Sequence, residues 1–280
     1  MEVQLASRHE KPVSGLMLVA AGQEALAAMA AWDFLISEGA EDRELVVVGN
    51  LAAAQAVNAA ARRGLTVTHV AAESGLSASD KWVKGISAAR GEHLCVWNAA
   101  DRHSADRLSR QLEASAASQG LSSALTSAIY VFPVEKKAFL LDFRLGPTTG
   151  TGGFIPTTLC FRRAAARGLT SAILGESPDR GLFEYVSRCS KCSSPKDTSP
   201  AYVRVCTGRE AIAGQPRRTE ATKHGLTAAQ LKPKLAEVVR MLQGFGLHNL
   251  SICDASGTVL ANSGDPNNGR MSGDGLPSKR

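Results

Sequence analysis

Short, wholly apolar runs alternate with segments whose apolar positions recur every three or four residues through the first part of the chain. Residues 14–21 (SGLMLVAA), 44–48 (ELVVV), 65–70 (LTVTHV) and 93–97 (HLCVW) have the length and make-up of buried strands. Between them, residues 23–38 predict an Ala-rich helix with Leu26, Met29, Phe34 and Leu35 facing inward, and residues 51–63 predict a second helix stopped by Gly64. A third helix carries Trp82, Val83, Ile86 and Ala89 at helical spacing and ends at Gly91. The run 93–97 then delivers Asn98, Ala99, Ala100 and Asp101 to a loop at its carboxyl end, where open α/β sheets place their ligands. Ser104 is placed to cap a fourth helix, in which Leu108 and Leu112 lie one turn apart. Strands alternating with helices predict a mostly parallel sheet with right-handed crossovers, and strands without polar alternation predict burial on both faces.

After Gly120 the rhythm changes. Residues 124–133 (ALTSAIYVFP) and 157–162 read as strands, 138–143 as a strand or turn, and 145–153 (LGPTTGTGG) as a Gly/Thr loop. Residues 164–167 predict a short helix, and 179–189 a longer one with Leu182, Phe183 and Val186 on one face. Residues 190–224 are rich in Ser, Pro and Arg around an apolar island, 201–206, that fits one edge strand. Residues 227–242 predict an amphipathic helix running through Pro233, capped by Thr227, with Leu231, Leu235, Val238, Val239 and Leu242 on its apolar face. Residues 249–253 and 258–261 flank a hairpin turn at 254–257. The expected organisation is a loose N-terminus (1–12), an α/β domain (13–190, with halves 13–119 and 120–190), a helix-plus-hairpin extension (191–262) and a disordered tail (263–280).

A chain of 280 residues, 44% hydrophobic and 21% charged, has room for one such domain with a large core and a small appendage. No apolar run reaches the about 18 residues of a membrane span. The closest, residues 13–32, is interrupted by Ser14, Gly22, Gln23 and Glu24. Glu2 and Glu10 do not fit a secretory leader, so a cytoplasmic location is expected; peripheral membrane association and a homodimer stay open. The net charge of +6 favours anionic ligands such as nucleotide phosphates, although a small excess also serves solubility. Three Tyr and three Trp, with no basic block between them, argue against a nucleic-acid platform. Cys95 and Cys160 lie in apolar runs and read as core residues. Cys189 and Cys192 have metal-ligand or redox spacing, but no second such pair follows. No G-x-G-x-x-G follows the first strand, which weighs against a dinucleotide-binding Rossmann enzyme.

Glu73, Asp80, Lys84-Gly85-Ile86, Ala89, Gly91-Glu92, Asn98-Ala99-Ala100-Asp101 and Asp106-Arg107-Leu108, in that order and spacing, resemble the middle of a bacterial family 2 glycosyltransferase with the GT-A fold. The likeness continues in IPTTLCFRRAAARG, similar to that family's strand ending in Phe-Arg-Arg, and in ILGESPDRGLFEYVSR, similar to its acidic loop and following helix. It covers residues 13–190 and implies a Rossmann-like, mostly parallel sheet flanked by helices. It also implies transfer of a sugar, of the hexosyl type, from a UDP- or GDP-sugar to a glycan, lipid or protein acceptor, with inversion.

The resemblance places Asp101 at a divalent metal (Mn²⁺ or Mg²⁺), with His103 within reach and Asn98 at the ribose or the metal. Such hard cations take oxygen ligands. A metal would act as a Lewis acid on the leaving diphosphate. Asp80 and Lys84 fall on the donor side; as an isolated helix pair they would simply be a solvated i,i+4 couple. Asp179 matches the general base, with Glu176 the alternative in the same loop; Asp179 is equally suited to capping its helix. The departures concern the nucleotide. Where the family carries Asp-Gly-x-Ser after its second strand, this chain has Gly49-Asn50-Leu51-Ala52, which leaves Asn50 as the donor contact there. Val83 replaces the family's Asn before Lys-Gly, Ala100 an acidic residue, and Thr157 a His. Either a divergent enzyme or a catalytically inactive GT-A-like binding or assembly module accounts for these losses.

Overall fold

The expected alternation of strand and helix is present: β1 (Val13–Leu18), α1 (Glu24–Leu35), β2 (Arg43–Gly49), α2 (Leu51–Ala61), β3 (Thr66–Ala71), α3 (Ala78–Ala88) and β4 (His93–Val96). A short β5 (Asp101–His103) and α4 (Arg107–Ala117) follow. The computed structural model describes residues 12–61, 64–73, 75–118, 120–145, 151–196, 200–206 and 223–264. The expected loose N-terminus and tail, and the centre of the Gly/Thr loop, lie outside the described residues apart from Pro12, Ser263 and Gly264. The chain forms two compact units, residues 1–128 with 142–204, and residues 129–141 with 205–280.

The first unit completes its sheet with β6 (Ser122–Ser123), β9 (Cys160–Arg162) and β10 (Cys192–Ser193), in the order β10-β6-β9-β4-β1-β2-β3. β1 runs parallel to β2 and β4, and β2 parallel to β3, whereas β9 is antiparallel to both β4 and β6. The chain leaves β1 toward β2 on one side and returns to β4 on the other. This reversal puts a crevice at the carboxyl ends of β1 and β4. Successive residues of β2 enter opposite cores: Leu45 and Val47 join Phe34, Trp97 and Leu108, while Val46 and Val48 join Trp82, Ile86, Phe161 and Leu182. Burial on both faces is the reason these strands carry no polar alternation.

α1 buries only part of the face expected. Phe34 is inside and Leu35 packs partly buried against the same core, but Ala27, Ala30 and Ala31 fill the rest of the contact and Met29 is 42% exposed. The cause is close approach, since a Cβ at Gly15 in β1 would lie 2.9 Å from Phe34 Cε2 and 2.8 Å from Leu45 Cδ1. Only small side chains fit against a sheet that near. Residues 101–103, expected as loop, form β5 because they find a distant antiparallel partner in β11 (Tyr202–Val205). Ser104 does not cap α4; its hydroxyl donates to Asp106 Oδ1 at 2.5 Å, and Asp106 takes the capping position. α5 (Ser171–Leu174) and α6 (Pro178–Cys189) close the unit, with Leu182, Phe183 and Val186 buried as the spacing required. Cys189 is exposed and Cys192 half-buried, and among the described residues no group of three or more His, Cys, Asp or Glu could hold a metal.

In the second unit the sheet order is β13-β12-β8-β7, built from β7 (Ser127–Phe132), β8 (Lys137–Asp142), β12 (Ser251–Cys253) and β13 (Val259–Asn262). β12 and β13 form the expected hairpin. The helix expected at 227–242 is interrupted: α7 (Ala228–Leu231) ends in a 3₁₀ turn at Lys232–Lys234 before α8 (Leu235–Gly244) begins. Pro233 lacks the N–H of a continuous helix, and its ring crowds the carbonyl four residues back. Thr227 makes the expected cap, reciprocated by Gln230. Among the described residues no helix is long and apolar enough to cross a membrane.

At the amino end of the first unit's sheet, Glu44 is buried with its Oε1 accepting from Ser14 Oγ at 2.5 Å and its Oε2 from Arg90 Nε at 2.9 Å. Burial alone would raise the Glu44 carboxyl, but the bonds from Ser14 and from the Arg90 backbone and side chain outweigh it and hold the pKa below the usual carboxylate value. A depressed folded-state pKa contributes stability above the unfolded value and loses it as pH falls through the folded one. Glu44→Gln is therefore expected to cost about 1–3 kcal/mol at pH 7, because buried donors lose a charged acceptor. The cost should shrink below about pH 4. Urea unfolding at both pH values checks this; an equal cost at both would remove the ionic contribution.

Candidate active site

β4 carries the site's floor outward. Trp97, fully buried, donates its indole N–H to the Ala30 carbonyl at 2.8 Å and packs against the His103 ring at 4.2 Å. Asn98, half-buried, follows, and its Nδ2 donates to Asp101 Oδ2 at 2.6 Å. The Tyr202 hydroxyl donates to that same oxygen and lies 3.2 Å from Thr157 Oγ1. Asp101 is thus at the carboxyl end of β4, as the sequence placed it, but only 2% exposed, beneath a tyrosine 101 residues further along the chain.

His103, expected beside Asp101 as a metal ligand, has other work. Arg107 Nη1 donates to its Nδ1 at 2.6 Å, so Nδ1 carries no proton, and Nε2 faces the Asn98 carbonyl at 3.4 Å. Burial first, and the Arg107 charge second, push the His103 pKa well below its ordinary value. The imidazole is neutral with both nitrogens engaged, which leaves no lone pair for a cation. Arg107 itself is fully buried. It donates to Gln111 Oε1 (2.9 Å), the Val96 carbonyl (2.8 Å) and the Thr158 carbonyl (3.2 Å), and its guanidinium sits 4.6 Å from the Trp97 ring.

Asp179 opens α6 and is half-buried. Burial raises its pKa; the Arg204 charge and a bond from the Trp82 side chain pull it down, and the Asp101 charge pushes it further up. Asp179 and Asp101 are therefore near enough to repel, with Arg204 near enough to temper Asp179. The alternative base, Glu176, is exposed in the loop before α6. Asp179 is not the cap of its helix: Ser177 holds that position, and Asp179 lies in the first turn.

The residues expected on the donor side divide into two groups. Asn50, at the end of β2, caps α2 by accepting from Ala53 N at 2.8 Å and donates to Glu24 Oε1 at 3.3 Å. Glu24, which the sequence reading passed over, is held below the usual carboxylate range by bonds to its own backbone, to the Gly22 N–H and to Asn50. A carboxylate from the start of α1 therefore stands beside the position where the resemblance misses one. Asp80 lies in the first turn of α3, where the Ser77 hydroxyl bonds it at 2.6 Å and a bond from Ser171 links it to α5. These bonds, Ser77's first, and the charge of Lys84 one turn on lower its pKa. Lys84 is exposed on α3.

The donor set does not fit a resident divalent cation. Asp101 already serves two donors, His103 has no free nitrogen, and no further acid or imidazole completes a cluster among the described residues. Arg107, Tyr202 and Arg204 were not among the expected site residues. Arg107 is the middle residue of the Asp106-Arg107-Leu108 match, and an arginine in an otherwise apolar-spaced helix face was the available signal. Nothing in the sequence tied residues 202 and 204 to residue 101.

No family model and no curated protein sequence matches this chain. Among solved structures it is similar to a mannosyltransferase from Pyrobaculum calidifontis in complex with GDP-Man and Mn²⁺ (14% identity, TM-score 0.54, 82% of this chain and 69% of that one). It is also similar to S. aureus TarS 1–349 (12% identity, TM-score 0.53, 83% and 72%), and to the same protein with UDP-GlcNAc (13% identity, TM-score 0.54, 83% and 73%). The fold is thus the GT-A-like α/β architecture of these glycosyltransferases.

Proposed function

We propose that this protein is a glycosyltransferase of the hexosyltransferase type, moving a sugar from a UDP- or GDP-sugar to a hydroxyl of a glycan, lipid or protein. The observation that carries this reading is Asp179. It is a half-buried carboxylate in the first turn of α6, whose pKa is raised by burial and by Asp101, the carboxylate just beyond the end of β4. A base with a raised pKa is better matched to removing the acceptor's proton near neutral pH. On this reading the acceptor oxygen attacks the anomeric carbon and Asp179 takes its proton. Asn50, Glu24 and Asn98 meet the nucleoside side of the donor, and Asp80 and Lys84 line its approach. The solved relatives hold GDP-Man with Mn²⁺ or UDP-GlcNAc, which supports the donor class. Inversion follows from the resemblance to family 2.

A thermal-shift series with UDP-glucose, UDP-GlcNAc and GDP-mannose, each with and without Mn²⁺, tests the donor. A ligand at about 100 times its Kd adds about 2.7 kcal/mol to stability. For a chain of this size that is a rise of about 5–10 °C in Tm. The Mn²⁺ arm asks whether the donor's phosphates bring in a cation that one carboxylate can share, as Mg²⁺ sites often do. Two observations favour the second reading, an inactive GT-A-like module: Gly49-Asn50-Leu51-Ala52 lacks the expected acid, and Asp101 is covered by Tyr202. Absence of a shift with every nucleotide would select that module.

A further inference from the structure

β5 and β11 pair antiparallel with Arg204 opposite Asp101 and Tyr202 opposite His103. Opposed residues in such a pair point to one face with Cβ atoms about 4.5–5.5 Å apart. Asp101, His103, Tyr202 and Arg204 therefore share a face. Arg102 lies on the other, where its Nε and Nη2 donate to Asp33 at 2.8 Å each. On the shared face the rings of Trp97, His103 and Tyr202 follow one another, with centroids 4.2 and 5.5 Å apart. Beside them the half-buried Arg204 acts on the charge of Asp179.

Both carboxylates here have a guanidinium near them. Asp179 feels the charge of Arg204, and Asp101 and the buried Arg107 feel one another. Sites built for hard divalent cations present an excess of carboxylate. Here a guanidinium stands near each carboxylate, so the site has no excess of negative charge to draw in a cation. Arginine's planar fork also matches phosphate oxygens bidentately, which an ammonium cannot do.

We propose that Arg204 is the group that binds the donor's diphosphate and takes up its charge on departure, in place of a metal held by Asp101. This rests on the glycosyl-transfer reading. The bond from the anomeric carbon to the β-phosphate oxygen breaks with its electron pair left on that oxygen. The acceptor oxygen bonds the same carbon, and the acceptor's proton passes to Asp179. The departing nucleoside diphosphate gains one negative charge, which Arg204, opposite Asp101 in the strand pair, takes up. Asp101 holds Tyr202 and Asn98 in place and keeps the face in register.

Calorimetric titration of the full chain with UDP and with GDP, in EDTA and in Mn²⁺, tests this with the wild type, Arg204→Ala and Arg204→Lys. Wild-type protein should bind one of the nucleotides comparably in both buffers. Arg204→Ala should bind it about 10–100-fold more weakly in EDTA, the loss of a charge-assisted pair of hydrogen bonds. Arg204→Lys should fall between, since it keeps the charge and loses the fork. Wild-type binding that disappears in EDTA and returns with Mn²⁺ overturns the proposal while leaving the function reading intact. So does an Arg204→Ala variant with wild-type affinity. If circular dichroism shows Arg204→Ala unfolded, Arg204→Lys decides: weaker binding supports the proposal and unchanged affinity overturns it. A wild type that binds neither nucleotide in either buffer overturns the function reading and this inference with it.

Discussion

On the proposed glycosyl-transfer reading, Asp179→Asn should lose about 10²–10⁴-fold in the rate of nucleoside diphosphate release from the donor, the usual contribution of a general base. It should do so without losing stability. The sign follows from its environment. Burial, and then the nearby Asp101 charge, raise the Asp179 pKa in the folded protein. The folded state therefore holds its proton to a higher pH than the unfolded chain does. Wild-type stability should fall as pH rises from the unfolded value, near 3.8, through the raised folded one, and level off above it. The amide cannot ionise, so that slope should vanish in the variant, and its Tm at pH 7 should equal or exceed the wild-type value. A residue that only supported α6 would give the opposite pairing, full turnover with a lowered Tm, and would end its assignment as base. Asp179→Glu, which keeps the proton acceptor but shifts its oxygens, should retain part of the rate.

Arg107→Leu should be the most destabilising change in the first unit, at about 3–5 kcal/mol, the cost of breaking a buried charged network from one side. The substitution removes the arginine's bonds to His103 Nδ1, Gln111 Oε1 and the carbonyls of Val96 and Thr158, of which the last keeps its bond from Gln111 Nε2. It also leaves Asp101 without the positive charge behind it. Arg107→Lys should recover little, because one ammonium cannot span carbonyls on β4 and beside β9 while also reaching His103. Because His103 would then lose its donor at Nδ1, its imidazole would be free to change tautomer and turn. Urea unfolding of both variants, with the His103 ring signals followed by NMR, checks each step. A loss below about 1 kcal/mol would show that the network relaxes without cost, against the expectation for fully buried polar groups.

The core alternation was legible because it depends only on local pattern. Leu45 and Val47, with Val46 and Val48 between them, declare a strand buried on both faces before any fold is known. The α6 face of Leu182, Phe183 and Val186, the Thr227 cap and the β12–β13 hairpin were legible for the same reason. The α1 face was legible at Phe34 and Leu35 but not at Met29, because alanines count weakly in a hydrophobic pattern, yet they were what let that helix approach Gly15. The Asp101 segment was misread as loop because β5 owes its existence to β11, and pairing at that separation leaves no local trace.

The amino-acid sequence by itself determined the order of elements, the parallel sheet and the delivery of Asn98 and Asp101 to the end of β4, since periodicity and turn chemistry act within a few residues. The tertiary structure alone decided what surrounds that carboxylate: Tyr202 on its oxygen, Arg204 across the strand pair, Asp179 within reach of its charge and Arg107 neutralising it from behind. Electrostatics and hydrogen bonding depend on distance in space, and a chain that brings residue 101 to residues 179, 202 and 204 does so only once it has folded.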